Sequence, residues 1–125
     1  MENFISDVSR LVGQSCQIDK DLFDKYNVKR GLRNADGSGV LVGLTSIGDV
    51  VGYRREGDTL IPTEGDLRYR GFPIRELVKG FQKENRHGFE ETTFLLLTGK
   101  LPTSLQLAEM TTHLASKRDL DRSEE

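Results

Sequence analysis

Apolar residues fall at steps of three and four over residues 2–12. There Phe4, Ile5, Val8, Leu11 and Val12 predict a short amphipathic helix ending near Gly13. Leu22, Phe23 and Tyr26 support a second short helix around Asp19–Tyr26. The turn formers of Arg33-Asn34-Ala35-Asp36-Gly37-Ser38-Gly39 then predict a loop. From Val40 to about Gly71 the pattern becomes strand-like. Residues 40–45 read as one strand, Asp49–Arg55 as a second, and Thr59-Leu60-Ile61 as a third after a turn at Glu56-Gly57-Asp58. Leu67–Gly71 reads as one more short extended piece, and frequent glycines predict that all these strands stay short.

Helical spacing returns after Gly71. Pro73 suits a first helical turn, and Ile74, Leu77, Val78 and Phe81 share one face. Residues 89–98 predict the next helix, closed by Gly99 as a C-cap. Its consecutive Phe94-Leu95-Leu96-Leu97 demands cover on several sides. Thr103-Ser104-Leu105-Gln106 is a capping box that opens a last helix, with Leu105, Ala108, Thr111 or Thr112, and Ala115 as its expected inward face. The tail 117–125 is almost entirely polar. The elements together predict a mainly α chain with a small β-hairpin or short-strand element at about residues 40–71.

Composition narrows the function classes. At 125 residues the chain has the length of one ordinary domain. With 35% hydrophobic residues and no Trp, it has modest core capacity, or it is a fragment whose core is completed by sequence outside it. The net charge of −2, from 18 basic and 20 acidic side chains, argues against a nucleic-acid backbone binder. No apolar run approaches the ~18 residues that span a bilayer, so no membrane partner is expected. The start MENFISDVSR lacks the apolar core of a secretory signal, and Cys16 is the only cysteine. A cytoplasmic location is the expectation.

No catalytic constellation emerges from these residues. Gly37–Gly43 does not fit GxGxxG, lacks the GK[ST] ending of a phosphate loop, and precedes a strand instead of following one. Gly37-Ser38-Gly39 lacks the GxSxG spacing of a nucleophile elbow. His87 and His113, the only imidazoles, are 26 positions apart with no ligand pattern between them, so no metal site is expected. Glu90 and Glu91 occupy a first helical turn, where the helix dipole accounts for them.

Several stretches, in order, resemble the amino-terminal portion of citrate synthases. They are Lys29-Arg30-Gly31-Leu32-Arg33-Asn34, Gly37-Ser38-Gly39-Val40, Leu44-Thr45-Ser46-Ile47, the run GDLRYRGFPI at 65–74, and FEETTFLLLTGKLPT at 89–103. YRGxxI followed by FEExxxLLLxGxLP is the specific part of the signal, and the resemblance covers about residues 29–115. It implies a partial citrate-synthase-like helical fold, with 1–28 as a helical lead-in, 29–72 as loop and short strands, and 73–117 as helices. It also implies an intertwined homodimer or higher homo-oligomer whose substrates are acetyl-CoA and oxaloacetate. In the family an Asp removes the methyl proton, one His stabilises the enol oxygen and a second His protonates the oxaloacetate carbonyl. Those groups, and the arginines that clamp oxaloacetate, lie in segments with no counterpart here, so no catalytic residue and no tightly bound cofactor is assigned.

One ligand-facing residue carries over. Gly31-Leu32-Arg33 matches a family loop whose arginine reaches the CoA phosphates, and a guanidinium fork suits polyphosphate. Arg33 as a surface or dimer-contact residue stays open beside that reading. Arg70, in the YRG segment, is expected to be structural, satisfying carbonyls at a strand-to-helix junction. Two further readings are 2-methylcitrate synthase, which shares this region, and a non-catalytic module that pairs with a full-length synthase.

Overall fold

The computed structural model describes residues 2–28 and 43–118. Among them the chain runs α1 (Glu2–Ser15), α2 (Asp21–Lys25), β1 (Gly48–Glu56), β2 (Thr59–Tyr69), β3 (Phe72–Pro73), α3 (Ile74–Lys83), α4 (Phe89–Thr98) and α5 (Ser104–Ala115). Five helices and one antiparallel sheet of order β1-β2-β3 agree with the expected mixture of helices and a small β element.

The core sits where α4 is covered by α1 on one side and α5 on the other. Phe4, Phe94 and Met110 meet there, with Val8, Leu11 and Leu114 packed around them. Phe94 and Leu95 are fully buried, and each such side chain removed from water contributes roughly 1.5–3 kcal/mol. Leu97, next in the apolar run, stays 42% exposed, so α4 is covered on most sides but not all. Gly99 ends α4 at φ 75, where its N–H donates to the Leu95 carbonyl at 2.8 Å, as the C-cap reading expected. The capping box also forms. Gln106 N–H donates to Thr103 Oγ1 at 3.3 Å, and Thr103 N–H donates to Gln106 Oε1 at 2.9 Å.

Both hairpin turns have the backbone their residues allow. Glu56 pairs with Thr59 around Gly57-Asp58, and Gly57 takes φ 58, the first central position of a type II′ turn. Tyr69 pairs with Phe72 around Arg70-Gly71, with φ 50 and φ 87, which is the type I′ pattern. Between the turns β2 runs as one strand of 11 residues, where two short pieces were expected. The glycines do not end it. The β1–β2 register shifts between Val51 and Tyr53, beside Gly52 and opposite Gly65, so they sit at a bulge. Pro62 is tolerated for a related reason. In a two-residue hairpin the closing pair is hydrogen-bonded and pairs alternate from there, so Tyr53↔Pro62 is a pair without such bonds. The N–H that proline lacks would have faced the open edge.

Other expectations are corrected. Residues 43–45 are not strand, while Val40, Leu41 and Val42 lie outside the described residues. Thr45 Oγ1 accepts from Ile47 N–H at 3.1 Å and bends the chain there. Helix α1 continues past Gly13 to Ser15, and Pro73 caps α3 instead of entering it. On α5 the inward face is Met110 with Leu114, and Leu107 is half-buried beside two open cavities. Leu105, Ala108, Thr111, Thr112 and Ala115 are exposed, Leu105 by 71%. Apolar residues surround this helix, so periodicity alone could not choose a side.

Phe94→Ala is expected to cost about 3–5 kcal/mol in urea unfolding, the usual penalty for emptying a closed aromatic site. Leu105→Ala should stay within about 0.5 kcal/mol. Equal losses at the two positions would contradict this placement of the core.

Candidate functional site

The densest polar constellation centres on Arg70. Its Nε donates to the Leu96 carbonyl at 3.0 Å, and its Nη1 donates to the Ser15 carbonyl at 3.2 Å and to Ser46 Oγ at 2.9 Å. Its backbone N–H donates to the Ile47 carbonyl at 2.8 Å. Ser15 Oγ donates in turn to the Leu97 carbonyl at 2.9 Å. The last carbonyls of a helix have no partner inside it. Here the C-terminal ends of α1 and α4 converge on one guanidinium and one hydroxyl, and a fixed positive charge also suits two negative helix ends. This is the carbonyl-satisfying role expected of Arg70. The part of Ser15 was not foreseen, since a serine two residues past a glycine carries no cue in the sequence.

The arrangement holds Arg70 in the left-handed region at φ 50. That conformation costs a non-glycine residue about 1–3 kcal/mol. Hydrogen bonds from a charged donor contribute about 1.5–3 kcal/mol each, so the three side-chain bonds outweigh the strain.

A second polar cluster joins the α3–α4 connection to α4 and α5. Arg86 Nη1 donates to Glu91 at 2.6 Å while its Nε faces Glu84, and Arg118 donates to Glu90 at 2.8 Å. The hydrogen bond that Arg86 donates to Glu91, then the one it donates to Glu84, raises the Arg86 pKa. Glu90 and Glu91 thus do more than answer the helix dipole. Beside them opens a cavity of about 600 Å³ lined by His87, Phe89, Leu107 and Thr111 among others. Its two arginines already face carboxylates, so it presents no bare cation to an anionic ligand.

The two imidazoles are not brought together. His87 lines that cavity, whereas His113 lines a separate one of about 240 Å³ with Phe4, Ala108, Glu109 and Thr112. His113 Nδ1 is buried with no hydrogen-bond partner among the described residues. Among those residues no three His, Cys, Asp or Glu side chains group as metal ligands, and no helix is long and apolar enough to cross a membrane. Arg33 and the Gly37–Gly39 turn lie outside the described residues.

Comparison with known proteins decides what this scaffold is. The family described as "Citrate synthase, C-terminal domain" matches residues 34–124, well over half the chain. The chain belongs to the citrate synthase family. The 2-methylcitrate synthase of Mycobacterium tuberculosis is 33% identical over 100 residues, 80% of this chain and 20% of that protein. The citrate synthase of Saccharolobus solfataricus is 34% identical over 83 residues, covering 66% and 16%. The peroxisomal citrate synthase 1 of Arabidopsis thaliana is 44% identical over 46 residues, covering 37% and 8%. No solved structure matches the chain. The citrate synthase-family chain therefore spans about a fifth of the length of its M. tuberculosis relative and less of the other two.

In this family member the YRG segment is a type I′ turn with a clasp. Arg70→Ala is expected to lower stability by about 2–4 kcal/mol, because several helix-end carbonyls lose a charged donor together. Arg70→Lys should recover only part of this, since an ammonium on one stem cannot reproduce the fork. Arg70→Gly relieves the backbone but should stay well below wild type in urea unfolding. A glycine variant at wild-type stability would show that the clasp contributes little.

Proposed function

We propose that the chain is the amino-terminal segment of a synthase that condenses acetyl-CoA with oxaloacetate to give citrate and CoA, and that the segment alone is inactive. The observation that carries this reading is the family match over residues 34–124. The placement at the start of the parent rests on the ordered motifs from Lys29 to Thr103, although the matched family description carries the words C-terminal domain. In this reading residues 1–28 lead in as helix, 29–72 supply loop and strands, and 73–117 supply helices. The parent works in the cytoplasm as a homodimer or higher homo-oligomer. Arg33 reaches the CoA phosphates, and the segment binds no other cofactor.

A second reading has specific support. The M. tuberculosis relative is named 2-methylcitrate synthase, as are relatives from Corynebacterium glutamicum and Shewanella oneidensis. Adding a methyl group to citrate requires an acyl thioester one carbon longer, so propionyl-CoA would replace acetyl-CoA.

Two outcomes test the proposal. The purified 125-residue chain should release no thiol from acetyl-CoA or propionyl-CoA in an oxaloacetate-dependent way; such release would refute the inactive-segment reading. In the parent enzyme, Arg33→Ala should raise KM for the acyl-CoA roughly 10- to 100-fold with little change in kcat, the loss of one charged hydrogen-bond donor to phosphate. An unchanged KM would return Arg33 to the surface or to a subunit contact. The ratio of kcat/KM for the two thioesters assigns the reaction.

A further inference from the structure

We draw no further inference here: the strongest candidate, the exposed apolar patch on the β1–β2 hairpin around Val50, Tyr53 and Leu60, carries none, because nothing in the structure shows what covers it.

Discussion

Arg70 is the constraint on which the arrangement of this chain depends. A helix core can bring α1 and α4 alongside one another, but it leaves their last carbonyls without partners. One guanidinium takes up Ser15 and Leu96 carbonyls together with the Ser46 hydroxyl, and the same residue's backbone N–H takes up Ile47. Removing it would loosen two helix ends and a loop at once. The sheet in turn exists to deliver this residue. The type I′ turn between β2 and β3 is the point from which Arg70 reaches both helix ends, and left-handed backbone at Arg70 and Gly71 makes so tight a turn possible.

The apolar part of the structure is small beside this. Only Phe4, Leu77, Phe94, Leu95 and Met110 count as buried hydrophobics among the described residues, while Val50, Tyr53, Phe89 and Leu105 are more than 60% exposed. The core is modest and is stiffened by polar clasps at helix ends, with several large apolar side chains exposed among the described residues.

Legibility in the sequence followed the range of the interaction that fixes each feature. Gly99, the Thr103–Gln106 box and the Gly57 turn depend on a few neighbouring residues, and each could be read without the structure. The inward face of α5 depends on where α1 and α4 lie, so the spacing of Leu105, Ala108 and Ala115 pointed to one side while Met110 and Leu114 are the residues that pack on the core. The continuity of β2 depends on a bulge that absorbs Gly52 and Gly65, which composition reads as an end. The carbonyl-binding role of Arg70 could be anticipated from its junction, but its partners, 55 and 26 positions away, could not.

The same distinction explains how the scaffold of a chain can reveal its family. The segments that carry the resemblance are places where local physics leaves little choice. YRG must supply a left-handed pair and a long forked donor. FEE sets one acid against Arg118 and the next against Arg86 at the start of a buried helix. The TGKLPT run must end one helix in left-handed glycine and cap the next within five residues. Several such constraints in a fixed order and spacing are improbable together, which makes them diagnostic, yet each is satisfied by scaffold alone. A reading built on them identifies the framework securely.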